Sequence, residues 1–194
     1  MGRIWPLLIT LFALTTACSI NYPKASDLEK TIYVSDQFSL NDDTQLYRGA
    51  DMWQCATNRD IRFHFKFGTK SSIYPQISSN DIFIGTVLGS DPRIVEADKR
   101  LHRTLPENLV VGLHMPHNNG QGHLILLVVD RIGREKLSAV VAHEIGHALN
   151  LEHVADERSI MHGTLLYGQY ITEDDVENLC DVYGCEYDDY RDCR

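Results

Sequence analysis

The chain has 194 residues, enough for one ordinary domain with a single hydrophobic core and too few for a second folded domain. Hydrophobic residues make up 43% of the sequence and charged residues 23%, a composition typical of a globular rather than a disordered protein. The formal net charge of -9 argues against a nucleic-acid partner, because no basic surface is available to replace the counterions around phosphates.

The N-terminal residues have the pattern of an export signal. Arg3 supplies a positive charge, and residues 4–14 form an apolar stretch of signal-peptide length that is too short to span a bilayer stably. The sequence LTTAC that ends this leader resembles the bacterial lipobox, in which a cysteine is lipidated and becomes the new N-terminus. We therefore expect a signal peptide at 1–17 and a lipid anchor at Cys18, which gives a membrane-anchored lipoprotein of the bacterial cell envelope. Plain secretion after cleavage near Ala17 is the alternative.

A tether and a helix are predicted next. We interpret residues 18–36 as a short, lipid-anchored tether that leads into a single domain at 37–194. From about Asp43, apolar residues recur with a helical rather than an alternating period, which places Leu46 and Trp53 near one face. We expect this helix to pack on the core.

Four strands are predicted after this helix. Residues 61–67 alternate Ile and Phe with charged or polar side chains, which is the period of a half-buried strand. Further strands are predicted in the apolar run 81–89, in the segment 109–116 that ends at Pro116, and in the buried run 123–130. The predicted order is therefore one helix followed by four strands.

Two more helices complete the predicted domain. Residues 134–150 contain no proline, and their apolar side chains recur at helical spacing from Leu137 to Ala148, which makes this the clearest helix in the chain. A last helix is predicted to begin after Thr172, a suitable N-cap residue, and to end near Gly184.

Four cysteines remain once Cys18 is assigned to the anchor. An even number is typical of disulfides in an oxidising compartment, so we expect two bridges among Cys55, Cys180, Cys185 and Cys193. The sequence alone does not choose among their possible pairings. A metal site built from these cysteines is the alternative, and the lack of a CxxC pair argues against it.

The clearest helix carries a metal-binding pattern. His143 and His147 are four residues apart, so their imidazoles project from one face at adjacent turns and can bind a single zinc ion. Glu144 is placed to hydrogen-bond a water on that ion and to act as the catalytic base, as in HExxH hydrolases. His153 supplies the third protein ligand that a catalytic zinc site with one open position requires.

His153 can reach the ion only if the helix ends before it. Six residues of continuous helix would place this side chain roughly 240° around the axis from His147, away from the metal. Asn150 tolerates the left-handed conformation that ends helices, second only to glycine. We therefore expect the helix to break at Asn150 and the following chain to bring His153 back to the ion.

Residues 143–153, HEIGHALNLEH, resemble the extended zinc signature of the metzincin metallopeptidases, HExxHxxGxxH, with Asn150 where the family usually has glycine. The family also has a methionine-containing turn beneath the metal, and Met161 lies in a segment, SIMH, that is similar to it. The order of the segments looks closest to the matrixin-like branch. The resemblance implies an α+β, zincin-like fold: a twisted mixed sheet with an early helix and an active-site helix, then a small C-terminal subdomain with the Met-turn and the final helix.

The resemblance also implies properties of the surroundings of the metal. An extended peptide substrate would pair with an edge strand at about Val110 to His114. Matrixins carry a second, structural zinc, and calcium is possible by analogy. The side chains to consider are His102, His114, His117 and His123 for zinc and Asp91, Asp98 and Asp130 for calcium. Exposed or hydrogen-bonded loop histidines are the alternative for the first set.

These patterns together predict a zinc-dependent metalloendopeptidase that acts on protein or peptide substrates as a monomer, held at the membrane through Cys18. One alternative is a non-catalytic surface lipoprotein that uses the same fold as a binding module, and the intact Glu144 speaks against it. Another is a cell-envelope hydrolase of non-protein amide bonds. The sequence does not indicate cleavage specificity, the physiological substrate or a mechanism of latency.

Overall fold

The computed structural model describes residues 28–38, 42–101, 109–116, 122–184 and 190–193. The strands within these ranges are β1 (Glu29–Ser35), β2 (Arg62–Thr69), β3 (Ile82–Val87), β4 (Gly112–Met115) and β5 (His123–Val128). The α-helices are α1 (Asp43–Ala56), α2 (Pro92–Leu101), α3 (Leu137–Ala148) and α4 (Glu173–Tyr183). In this part of the chain, no helix has both the length and the apolar character needed to cross a membrane.

The five strands form one mixed sheet in the order β2-β1-β3-β5-β4. The first four of these strands are parallel, whereas β4 runs antiparallel to β5, with Leu113 opposite Leu126. Strand β4 is therefore an edge strand, and it lies in contact with α3. This arrangement of a mixed sheet with helices confirms the α+β fold that the sequence predicts.

Helices α1 and α3 pack against each other in the main hydrophobic core. Trp53 of α1 is fully buried, and its indole N–H donates a hydrogen bond of 2.8 Å to the carbonyl of Ala142 in α3. The two helices approach closely at Gly49, where a Cβ would lie 2.7 Å from the carbonyl oxygen of Ser138. The early helix thus fixes the position of the helix that carries the predicted metal ligands.

Most predicted elements are present, and one expected boundary is wrong. The tether expected at 18–36 ends earlier, because Glu29–Ser35 form β1 in the interior of the sheet, with Ile32 fully buried between its neighbours. The apolar alternation in β1 is short and follows a polar segment, so its signal in the sequence is weak. The predicted signal peptide, Cys18 and the first part of the tether lie outside the described residues.

Helix α2 is also absent from the predicted order. No helix is predicted between the strands at 81–89 and 109–116, whereas in the structure Pro92 is the first residue of a helix. A proline is well tolerated there, because the N–H that it lacks would have no partner within the helix. Burial of Ile94 then anchors α2 to the rest of the domain.

A disulfide between Cys55 and Cys193 joins the last turn of α1 to the C-terminal segment, with Cα atoms 6.1 Å apart. Next to it, the Arg191 N–H donates a 3.1 Å hydrogen bond to the carbonyl of Ala56. Cys180 is disulfide-bonded as well. The bridge between residues 138 positions apart restricts the unfolded chain strongly and so favours the folded state.

The fully buried carboxylate of Asp175 joins α4 to the turn that contains Met161. The backbone N–H and the hydroxyl of Thr172 each donate to Asp175 Oδ2 at 2.8 Å. Thr172 Oγ in turn accepts the backbone N–H of Asp175 at 3.3 Å, which completes a capping box at the start of α4. The Ser159 hydroxyl donates to Asp175 Oδ1 at 2.6 Å, and Ser159 Oγ accepts the N–H of Met161 at 2.8 Å. One side chain therefore positions both the helix and the turn.

We expect Asp175→Ala to lower the free energy of unfolding by about 2–4 kcal/mol, because the buried donors on Ser159 and Thr172 would lose their acceptor. Urea denaturation followed by circular dichroism measures this change. Asp174→Ala, an exposed position in the same helical turn, is the control and should shift stability by no more than about 0.5 kcal/mol. Equal effects of the two substitutions would contradict the role given to Asp175.

Candidate active site

Three histidine side chains converge at one point beside α3. His143 and His147 lie one helical turn apart, and their Nε2 atoms are 3.1 Å from each other. His153 Nε2 lies 3.1 Å from that of His147 and 3.2 Å from that of His143. The structure therefore brings together the three residues that the sequence predicts as metal ligands.

The chain reaches this arrangement through the predicted break at Asn150, which adopts a left-handed φ of 64°. The Asn150 N–H donates to the carbonyl of His147 at 3.0 Å, and the Leu151 N–H donates to that of Gly146 at 3.0 Å. This pair of hydrogen bonds is the Schellman motif that closes helix C-termini. Asparagine in place of glycine costs about 1 kcal/mol there. The reversal turns the chain so that His153 faces the helix it has just left.

Backbone carbonyls hold two of the imidazoles in orientation. His143 Nδ1 lies 2.7 Å from the carbonyl of Ile160, and His147 Nδ1 lies 2.8 Å from that of Leu151. Because a carbonyl can only accept, each Nδ1 carries the proton and each Nε2 presents a lone pair towards the centre of the triad. The sequence does not predict these two contacts, because every residue type has a backbone carbonyl and the contact therefore requires no particular side chain.

The triad has the dimensions and protonation state of a zinc site. Ligands ~2.0–2.1 Å from a tetrahedral ion stand about 3.3 Å apart, close to the Nε2 separations described above. Burial, and then the neighbouring His147, lowers the pKa of His143 to about 4. Burial likewise lowers the pKa values of His147 and His153. All three imidazoles are therefore neutral near pH 7 and fit a dication.

Glu144 is buried next to the triad, with 5% of its surface exposed. Burial raises the pKa of its carboxyl to about 8, and a hydrogen bond from the backbone N–H of His114 opposes this increase. A carboxyl held next to three neutral imidazoles is suited to transfer protons at near-neutral pH. The sequence did not indicate the contact between Glu144 and β4, because His114 and Glu144 are 30 positions apart in the chain.

Met161 lies beneath the triad, as the resemblance implies. Its side chain is 1% exposed and packs directly against Gly146, which lies between His143 and His147 on α3. A Cβ on Gly146 would come within 3.0 Å of Met161 Cε and of Trp53 Cζ2, so only glycine fits there. The Met161 carbonyl accepts the N–H of Val154 at 3.0 Å, which ties this turn to the segment carrying His153.

The triad opens into a cleft of about 980 Å³. Strand β4, the residues just before it, α3 and the segment 162–165 after Met161 line this cleft. A volume of this size is ample for several residues of a ligand. The triad and Glu144 thus lie at an accessible surface.

Of the histidines considered for a second zinc, the structure describes His114 and His123, and these two contact each other. His114 Nε2 and His123 Nδ1 are 2.9 Å apart, so the two rings hydrogen-bond to each other. Burial, followed by the proximity of His123, lowers the pKa of His114 to about 3. His102 and His117 lie outside the described residues. Among the residues that are described, the triad is the only group of three or more histidine, cysteine or acidic side chains that could hold a metal.

The aspartates considered for calcium have other partners. The carboxylate of Asp98 forms an ion pair with Arg131 at 2.9 Å. Asp91 pairs with Arg93 at 2.8 Å, and Asp130 accepts the N–H of Gly89 at 2.8 Å. These contacts give no support to a second ion.

Comparison with known proteins agrees with this geometry. The Matrixin family model matches residues 133–184, which include the whole triad and Met161. Over 51 residues the chain is 45% identical to Metalloendoproteinase 2-MMP of Arabidopsis thaliana. The matched segment covers 25% of this chain and 14% of the plant protein, so the chain spans only a small part of the length of this relative.

Solved structures of two metallopeptidases resemble a larger part of the chain. Archaemetzincin from Methanopyrus kandleri superposes with a TM-score of 0.51 and 12% identity, covering 84% of this chain and 99% of that protein. Metalloproteinase-II from Bacteroides fragilis gives a TM-score of 0.47 at 12% identity, over 79% of this chain and 52% of that one. The first similarity extends the zincin-like fold beyond the segment matched in sequence.

The matrixin match, the fold shared with archaemetzincin and the convergent histidine triad agree with one another. Together they show that residues 133–184 are similar to the matrixins and that the fold of the chain is similar to that of archaemetzincin.

Proposed function

We propose that this protein is a zinc-dependent endopeptidase in which His143, His147 and His153 bind the metal and Glu144 is the catalytic base. The observation that carries the proposal is the convergence of three Nε2 atoms within 3.2 Å of one another beside a buried carboxyl, at the wall of an open cleft. This combination of three neutral ligands with an adjacent acid–base group is what metal-assisted hydrolysis of an amide requires.

The proposed reaction adds water across a peptide bond. Zinc bound by the three histidines would polarise the scissile carbonyl, acidify a water molecule and favour the ionised form of Glu144. Glu144 accepts a proton from the attacking water as the new C–O bond forms, and delivers a proton to the leaving amine as the C–N bond breaks. The carbonyls of Ile160 and Leu151 keep the ligand rings in orientation throughout.

We infer that the substrate is a polypeptide in extended conformation. Strand β4 is an edge strand that lines the cleft, so its outer backbone groups can pair with a bound chain. The backbone groups of Val110 already have hydrogen-bond partners within the protein. The Val110 N–H donates to Asp98 and the Val110 carbonyl accepts from Arg131, both at 2.9 Å. Pairing would therefore centre on Gly112–Met115, apart from the His114 N–H that faces Glu144, rather than on the whole segment from Val110.

We propose further that the domain is exported and anchored through Cys18. The leader and the resemblance to a lipobox support this, and β1 begins only 11 residues after the cysteine, at Glu29. A linker of ten residues spans at most about 35 Å, which would hold the cleft near the membrane.

In a bacterial host, Cys18→Ser should move the protein from the membrane fraction to the soluble exported fraction, and unchanged fractionation would contradict the anchor.

Removal of one ligand should weaken the metal site. We expect His153→Ala to bind zinc at least about 100-fold more weakly than the unaltered protein, because two ligands remain where three are needed. Competition with a chromophoric chelator measures the affinity. His162→Ala is the matched control, since His162 lines the same cleft outside the triad. If both variants bound zinc equally well, His153 would not be a ligand.

Loss of the acid–base group should abolish turnover and leave the metal in place. Glu144→Gln keeps the shape of the side chain but cannot take up a proton, so we expect kcat on an unstructured protein substrate to fall by about 10²–10⁴ with one zinc still bound. Glu152→Gln, an exposed carboxylate in the same cleft, is the control and should remain active. Normal turnover by Glu144→Gln would exclude the role proposed for this residue.

A further inference from the structure

The alternation of strand β4 determines which of its residues face the cleft. The Val128 N–H of the β5 segment donates to the carbonyl of Val111 at 2.9 Å, so the backbone groups of Val111 point towards β5. In an antiparallel pair, successive residues point alternately towards and away from the partner strand. The backbone N–H and carbonyl groups of Gly112 and His114 therefore point away from β5, towards α3 and the cleft.

The side chain of Glu144 occupies the space into which a side chain at position 112 of β4 would project. A Cβ placed on Gly112 would lie 2.8 Å from Glu144 Cδ and 2.9 Å from Cγ, and would overlap the carboxylate oxygen Oε1. Two residues further on, the backbone N–H of His114 lies near the same carboxylate and lowers its pKa. Strand β4 thus leaves space for the buried Glu144 carboxyl, because Gly112 has no side chain, and it offers the His114 N–H as a donor to that carboxyl.

Glycine is not needed at this position for the backbone conformation. The glycines with positive φ in the described chain are Gly68, Gly168 and Gly184, and Gly112 is not among them. A residue with a side chain could therefore adopt the backbone angles of Gly112, and only the approach of Glu144 excludes it. Glycine is therefore needed at position 112 because of the space that the Glu144 carboxyl takes up.

We propose that Gly112 is a positioning residue for catalysis: it lets the backbone of β4 contact the Glu144 carboxyl, while the His114 N–H fixes the direction of that carboxyl. The proposal rests on the proposed role of Glu144 as the base. A glutamate side chain has three rotatable bonds, so a buried carboxyl without such contacts could adopt several orientations. Displacement of a reacting group by about 1 Å can cost about 100-fold in rate, which makes this contact important for turnover.

The contact can be tested without measuring activity, through amide hydrogen exchange of His114 in the zinc-loaded protein by NMR. An edge-strand N–H that faces a solvent-filled cleft exchanges quickly unless it has a protein acceptor. We expect slow exchange in the unaltered protein and exchange at least about 10-fold faster in both Gly112→Ala and Glu144→Ala. Gly85→Ala is the matched control, because a Cβ at Gly85 of β3 would make only ordinary contacts of 3.5 and 3.6 Å.

Kinetics on a peptide substrate give the second measurement. We expect Gly112→Ala to lower kcat about 100-fold with KM changed by less than about 3-fold and one zinc retained, and Gly85→Ala to leave both constants unchanged. Wild-type exchange and turnover in Gly112→Ala would overturn the proposal. The proposal would also be overturned if the exchange rate of the His114 amide were the same in Glu144→Ala as in the unaltered protein. If Gly112→Ala does not fold, the exchange rate in Glu144→Ala is the deciding measurement. If the exchange rates change as expected but the unaltered protein cleaves no peptide, the contact stands and the proposed peptidase function fails.

Discussion

The site depends on the single left-handed residue that ends α3. A continuous helix would carry His153 to the far side of its axis, and the reversal at Asn150 brings it to the other two histidines instead. The reversal itself is held by backbone hydrogen bonds from Asn150 and Leu151 into the last turn of α3. A conformational cost of about 1 kcal/mol at one asparagine therefore makes a three-ligand site possible on a segment of 11 residues.

The rest of the domain makes this local arrangement rigid. Carbonyls of Leu151 and Ile160 orient two rings of the histidine triad, Met161 packs against α3 at Gly146, and Asp175 ties the Met161 turn to α4. Trp53 links α3 to α1, and α1 is joined to the C-terminal segment by a disulfide. Side chains fixed in this way would need little reorganisation to bind a metal, which favours both affinity and a defined open position.

Sequence patterns predict the parts of this protein that depend on local interactions. The spacing of His143 and His147, the helix end at Asn150 and the cap at Thr172 each follow from a few neighbouring residues, and the structure has all three helical features. The sequence pattern places residues 29–35 in the tether, because the stability of strand β1 comes from two flanking strands rather than from its own pattern. The contacts of Glu144 with β4 and of Asp175 with Ser159 join segments distant in sequence, so no local pattern records them.

The most direct test of the account is the zinc content of the purified mature domain, measured by elemental mass spectrometry beside its cleavage of an unstructured protein. The account predicts one zinc per chain, and cleavage that stops when a chelator removes the metal and returns when zinc is restored. A folded protein that binds no zinc, or cleavage that persists after complete removal of the metal, would contradict it.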